Sequence, residues 1–158
     1  MVLPDPQLTF AFEARVEVAE SLHVGRGPDE VLMFTPITGG TVDGPRLRGT
    51  VLPGGGDWST TRGACASLDA RYLLRADDGA VIDIVNLGFW RATPEIDARI
   101  EAGEDVPETE YYYRTSPVFR TDHPAHRWLA ESVFVGLARG ETSPDGQHTV
   151  CIRFFEVQ

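Results

Sequence analysis

Between Pro36 and Trp58 the chain reads PITGGTVDGPRLRGTVLPGGGDW, a stretch with seven glycines and three prolines. Such a density works against a helix, because proline lacks the amide donor and glycine costs backbone entropy. Apolar and polar residues nevertheless alternate through its middle, as in a strand with one buried face. The stretch therefore calls for strands and tight turns, with backbone passing close to backbone or to a ligand. Its end, Gly54-Gly55-Gly56-Asp57-Trp58, sets an acid and an aromatic directly behind the three glycines.

The rest of the chain repeats the strand pattern. In the segment 8–18, Phe10, Phe12, Ala14, Val16 and Val18 fall on one face and Ala11, Glu13, Arg15 and Glu17 on the other. The segments 31–37 and 45–52 read as two strands joined through Gly39, Gly40 and Asp43-Gly44, after a turn-rich connection at 24–30. The pair Asp78-Gly79 between alternating runs at 66–75 and 80–89 is a hairpin signal. Further strands are predicted at 110–119, 132–139 and 148–157. One helix is predicted near 94–102, with Thr93 as its cap, Pro94 in its first turn and Gly103 at its end. The segment 122–130 reads as one short helical turn or an ordered loop. Short connections between successive strands favour an antiparallel meander over βαβ units. The expectation is an all-β fold: a single antiparallel β-barrel domain over 1–158, with about eight to ten strands.

Four segments carry a family resemblance: the glycine-dense stretch at 36–58, LDARYLLRADDGAVIDIVNLG at 68–88, EYYYRTSPVFRT at 110–121 and WLAESVFVG at 128–136. Taken in order, they are spread over residues 36–136. With these the sequence resembles the domain of unknown function 3237 family, also called uncharacterised protein family 0311. The resemblance implies one compact β-barrel of about this length, and it implies no particular activity.

Charge and residue usage narrow the function. A net charge of -10 opposes binding to nucleic acid or to an anionic membrane surface. No apolar run is long enough for a membrane-spanning helix, and the first residues lack the pattern of a signal peptide, so the cytoplasm is expected. All 14 basic residues are arginine. The absence of lysine excludes a Schiff-base lysine and a P-loop of the usual kind. Cys65 and Cys151 are too few for a disulfide framework or a zinc site. His123 and His126, in H-P-A-H, have no third ligand tied to them by sequence, so no metal is expected. No cofactor motif is present, and a homo-oligomer is left open.

The candidate site residues follow from the barrel. Asp57 either meets a ligand at the barrel mouth or accepts hydrogen bonds from its own turn. On the strand at 110–114, Glu110, Tyr112 and Arg114 share one face and Tyr111, Tyr113 and Thr115 the other. If the first set points inward, Tyr112 and Arg114 can stabilise a developing oxyanion; if the second does, Tyr111 and Tyr113 are aromatic core or pocket wall. Asn86 lies on the face of Ile82 and Ile84, where a buried amide needs partners and can orient a substrate. Trp58, Tyr72 and Trp128 are expected to wall the pocket. The reading is a small-molecule-binding barrel, leaning to a cofactor-independent isomerase, lyase, hydratase or cyclase acting by proton transfer on a carbonyl metabolite. Asp57, Tyr112 and Arg114 are its expected catalytic residues. The alternative is a non-catalytic carrier of a small hydrophobic ligand.

Overall fold

Ten antiparallel strands and two short helices make up the fold in the computed structural model, which describes residues 1–158. The strands are β1 (Leu8–Val18), β2 (Leu22–Arg26), β3 (Val31–Asp43), β4 (Gly49–Val51), β5 (Gly56–Arg62), β6 (Cys65–Ala76) and β7 (Val81–Arg91), then β8 (Tyr112–Arg120), β9 (Phe134–Thr142) and β10 (His148–Val157). Helix α1 (Pro94–Glu101) separates β7 from β8, and a 3₁₀ turn (Pro124–His126) runs into α2 (Arg127–Ala130) before β9. No helix is long and apolar enough to cross a membrane.

Hydrogen-bonded neighbours run β1-β10-β9-β8-β7-β6, then β4 and β5, then β3, and β3 returns to pair with β1. This closes an eight-stranded barrel with two extra strands. The extra strands arise because β3 is long: β5 pairs with its first half and β4 with its second. On its other edge β2 and β1 divide the same length. Closure leaves few exposed edges.

The glycine-dense stretch explains how β3 is so long. Gly39 and Gly40 continue the strand rather than turning it, and Gly40 (φ 140°) passes so close to the Arg15 carbonyl that a Cβ would collide with it. The expected pair of strands at 31–37 and 45–52 is thus one long strand plus the short β4, and the triple glycine opens the separate strand β5. The connection expected at 24–30 likewise holds part of β2. Neither β2 nor β5 has a clean alternation of large apolar residues.

The hairpin and the helix lie where the sequence puts them. β6 and β7 pair across a short loop in which Gly79 adopts φ 90° and Asp78 Oδ1 accepts from the Ala80 amide at 3.0 Å. In α1, Thr93 Oγ1 accepts from the Ile96 amide at 3.3 Å, and Gly103 (φ 82°) follows the end. The predicted face of β1 holds for Phe12, Ala14 and Val16, which are buried. Phe10 leaves it: a bulge between Phe10 and Phe12 inserts one residue and turns the Phe10 ring outward, against Phe155 and Arg153.

One half of the barrel interior is solid. Phe119 packs edge-on against Phe12, Phe134 and Phe154 at centroid distances of 5.8, 5.2 and 5.7 Å. Leu74, Ile82 and Ile84 complete this core, and Leu129 of α2 is buried with it. Edge-on rings gain from their quadrupoles beyond the area they bury. The His126 ring, buried in the 3₁₀ turn, lies 2.7 Å through Nε2 from Asp78 Oδ2 and so fastens that turn to the β6–β7 hairpin.

Candidate functional site

Toward its other end the interior is not filled. A cavity of ≈ 170 Å³ is lined by side chains from β1, β3, β5, β6, β7, β8 and β10. Apolar walls come from Val16, Ile37, Ala70, Val150 and Ile152; the polar groups are Thr35, Asp57, Tyr72, Asn86, Tyr113 and Thr115. Strand periodicity places them. Asp57 sits opposite Thr35 and Ala70, all three facing the lumen, while the next residue, Trp58, faces out and packs on Phe34 at 4.7 Å.

Asp57 is the only charged side chain in this cavity. The β5–β6 ladder is interrupted just beyond it, with Asp57 paired to Ala70 and the next pair at Thr60 and Ser67. In that gap Asp57 Oδ1 accepts from the Asp69 amide at 3.0 Å. The carboxylate therefore braces the neighbouring strand rather than its own turn, and its second oxygen remains available. Burial raises its pKa above the ordinary carboxylate value; the Asp69 amide opposes this and the Asp69 charge adds to it.

Around it the polar atoms are left without partners. Tyr72 Oη, Asn86 Oδ1 and Thr115 Oγ1 are buried and make no hydrogen bond. Their residues are 3%, 3% and 7% exposed. Buried polar groups are ordinarily paired, and each orphan costs about 1–3 kcal/mol. All three line one cavity, where the hydroxyl or carbonyl of a small molecule can pair with them. Burial also pushes the phenols of Tyr72 and Tyr113 well above the ordinary tyrosine value, and Asp57 adds to this in both. For Tyr72 the neighbouring Asn86 amide, close but outside hydrogen-bond geometry, acts the other way. Both phenols thus stay protonated and serve as donors. Gly136 faces Thr115 across the β8–β9 pairing, and a Cβ there would strike Thr115 Oγ1.

The structure brings together Asp57, Tyr72 and Asn86 among the residues expected from sequence. It does not bring Tyr112 and Arg114 to them. Those two lie on the outer face of β8, because Tyr113 and Thr115 are the residues turned inward. Outside, the Arg91 guanidinium stands 3.9 Å above the Tyr112 ring, and Arg114 Nη1 donates to the Tyr113 carbonyl at 2.9 Å. Trp58 joins them in an outer groove with Leu87 and Phe89. Trp128 lies at the filled end, packed on Phe134 at 5.7 Å and under the Arg46 guanidinium at 3.7 Å.

From sequence, Tyr113 is expected only as core or pocket wall, should its face turn inward, and Thr115 has no assigned role. The signal for them was Phe119: counting back by two from this obligate core ring gives Pro117, Thr115 and Tyr113 on the inner face. Asp78, His123 and His126, also unconnected by sequence spacing, have ligand-type atoms within 4.8 Å of one another. Their geometry is that of a hydrogen-bonded brace, since His123 Nδ1 accepts from the Ala125 amide at 3.2 Å and His126 Nε2 meets Asp78.

Beside the cavity lies a wide vestibule of ≈ 1060 Å³, and Val18, Tyr113 and Val150 line both. The end of α1 and the loop after it form one wall, through Glu101, Glu104, Asp105 and Glu108. β9 and β10 supply Arg139, Glu141 and His148.

A family model described as "Protein of unknown function (DUF3237)" matches residues 6–157. A UPF0311 protein of Rhodopseudomonas palustris is 35% identical over 136 residues, covering 85% of this chain and 87% of its own. The crystal structure of a conserved protein of unknown function from Rhodopseudomonas palustris superposes with a TM-score of 0.88 at 30% identity, over 99% of this chain and 100% of that one. A hydroalkoxylation enzyme of Penicillium herquei, phnH, is 34% identical over 79 residues, 49% of this chain and 52% of its own. The crystal structure of an enzyme from Penicillium herquei shares the fold, with a TM-score of 0.71 at 20% identity, over 100% of this chain and 98% of that one.

Proposed function

The chain belongs to the DUF3237 family, and from the lumen of its barrel we propose a cofactor-independent enzyme that moves a proton on a small molecule bound beside Asp57. One observation carries this reading: a carboxyl whose pKa is raised by burial shares a cavity with three buried polar atoms that have no partner. A carboxylate held above its ordinary pKa is a stronger base than one in water and an effective acid once protonated.

The roles follow from the donor and acceptor inventory. Asp57 takes a proton from a substrate hydroxyl or from carbon beside a carbonyl, and returns it elsewhere on the same molecule. Tyr72 and Tyr113, protonated in the lumen, donate to the oxygen on which negative charge develops. Asn86 Oδ1 and Thr115 Oγ1 accept from or orient the substrate's own hydroxyls. The walls exclude water, which strengthens each of these interactions. Roles first expected of Tyr112 and Arg114 thus pass to the inward-facing tyrosines.

The Penicillium relative supports the reaction class. Hydroalkoxylation adds an O–H across a C=C bond: one proton leaves oxygen and one arrives at carbon, with no net redox change. A single carboxyl that accepts a proton and gives it back suffices for that stoichiometry.

The test is a thermal-shift screen of uncharged hydroxy- and oxo-compounds, followed by NMR of each hit in deuterated water. Expected is deuterium entering carbon positions with wild-type protein, and no entry with Asp57→Asn despite retained binding. Tight binding without exchange for any hit would leave a binding or carrier protein instead.

A further inference from the structure

We propose that the substrate is an uncharged molecule whose one ring-sized, hydroxyl- or carbonyl-bearing head enters the lumen while the remainder lies in the vestibule, and that carboxylate-bearing analogues are refused. This rests on the proton-transfer reading of the same lumen and adds what the lumen selects.

Size comes first. An apolar cavity of about 150 Å³ takes up benzene. The lumen, at ≈ 170 Å³, therefore admits one six-membered ring with a small substituent and no fused ring system. Anything larger must extend past Val18, Tyr113 and Val150 into the vestibule, where ≈ 1060 Å³ is open.

Charge comes second. No Arg, Lys or His lines the lumen, so an anionic head has no cation to meet and has Asp57 to repel it. The orphan groups there, the Tyr72 phenol, Asn86 amide and Thr115 hydroxyl, are neutral and match a hydroxyl or a carbonyl. The approach repeats the bias. The vestibule wall carries five acids, Glu101, Glu104, Asp105, Glu108 and Glu141, against one arginine, Arg139. That arginine is already engaged, paired with Glu141 and 3.9 Å from Glu108. A carboxylate on the ligand would cross a field in which acids outnumber arginines, even with Glu104 paired to Arg99 and Glu141 to Arg15 and Arg139.

Matched fragments test this by protein NMR, following methyl resonances of Val16, Ile37 and Val150. The probes are 4-hydroxyacetophenone against 4-hydroxybenzoate, and benzyl alcohol against benzoate, at low ionic strength. Expected is saturable perturbation of those methyls by each neutral member, with the acid weaker by about 10-fold or more. The double variant Glu101→Gln/Asp105→Asn, whose residues make no ion pair, should narrow the gap by about 2-fold, and added salt should narrow it in wild type. Asp57→Asn should narrow it further, because a buried charge is screened little by salt. Acids that bind the lumen as tightly as their neutral partners would overturn the selectivity and leave Asp57-dependent exchange standing. If no member of either pair perturbs the lumen methyls, both the selectivity and the small-molecule reading of the lumen fall.

Discussion

The same strands build both halves of the barrel interior, and the two halves are filled differently. β7 sends Ile82 and Ile84 into the packed half and Asn86 into the cavity. β6 sends Leu74 one way and Tyr72 the other, and β8 divides Phe119 from Thr115 and Tyr113. In the packed half three phenylalanine rings interlock around Phe119, and the one stranded polar atom, His126 Nδ1, lies in the 3₁₀ turn outside that cluster. In the cavity half three polar atoms are stranded and one carboxyl is desolvated. Each of those features lowers stability, so the packed half offsets what the cavity half costs. Folding and ligand chemistry are thus separated along single strands, and they can be broken separately.

Removing the charge from the cavity half has the largest functional effect. Asp57→Asn should reduce exchange on any substrate by about 10²–10⁴-fold, the usual contribution of a positioned acid–base group. It should not unfold the protein, since the Asn Oδ1 can still accept from the Asp69 amide. The stability effect has the opposite sign. Burial holds the Asp57 pKa above its unfolded value, so its charge costs nothing below the ordinary carboxylate pKa of about 3.9. That cost grows as pH rises through the raised folded value. Asp57→Asn should therefore melt higher than wild type at neutral pH, and the gap should close on acidification. Thermal melts of both proteins from about pH 4 to pH 8 measure it; a gap that is constant or reversed would place the carboxylate in a solvated, unstrained position.

Opening the packed half costs fold and leaves chemistry alone. Phe154 is fully buried and meets both Phe12 and Phe119, at 5.0 and 5.7 Å. Phe154→Ala should destabilise by about 3–5 kcal/mol, the range for deleting a packed ring, read from urea unfolding. Any variant that remains folded should still bind the neutral fragments.

Tyr72→Phe is a smaller change that acts on the contrast itself, by making a cavity residue resemble a core residue. It deletes a buried hydroxyl that has no partner. Stability should be unchanged or gained by about 1 kcal/mol, while affinity for hydroxylated fragments falls. A loss of more than about 1 kcal/mol would mean the hydroxyl is already satisfied in the unliganded protein.

The barrel was legible in the sequence, because period-2 alternation reports a buried face wherever large apolar residues mark it, as at Phe12, Ala14 and Val16. Gly79 and Thr93 announced the hairpin and the helix for equally local reasons. What escaped was set by long-range pairing. Gly40 reads as a turn residue, yet it serves the crossing of Arg15, which is distant in sequence. The Phe10 bulge exists only in register with β10. In the site, Asp57, Tyr72 and Asn86 line one cavity, each on a strand whose phase its neighbours fix. The strand bearing Tyr112 and Arg114 begins in a run of three tyrosines, Tyr111, Tyr112 and Tyr113, which marks neither face. A one-residue shift there exchanges inside for outside.

That exchange leads to the smallest predicted effect. Tyr112 and Arg114 differ from Tyr113 and Thr115 only in which way the pleat turns them. Arg114→Gln removes a guanidinium that lies 5.4 Å from the Tyr112 ring and bonds a carbonyl at the barrel surface. Surface changes of this kind fall within about 0.5 kcal/mol of neutral. Fragment affinity and deuterium exchange should be those of wild type, while Tyr113→Phe on the other face should weaken both. Measuring the two variants side by side reads the phase of β8 in solution. If Arg114→Gln abolished exchange and Tyr113→Phe did not, the strand would have to be turned over, and the lumen chemistry would belong to the residues now on the outside.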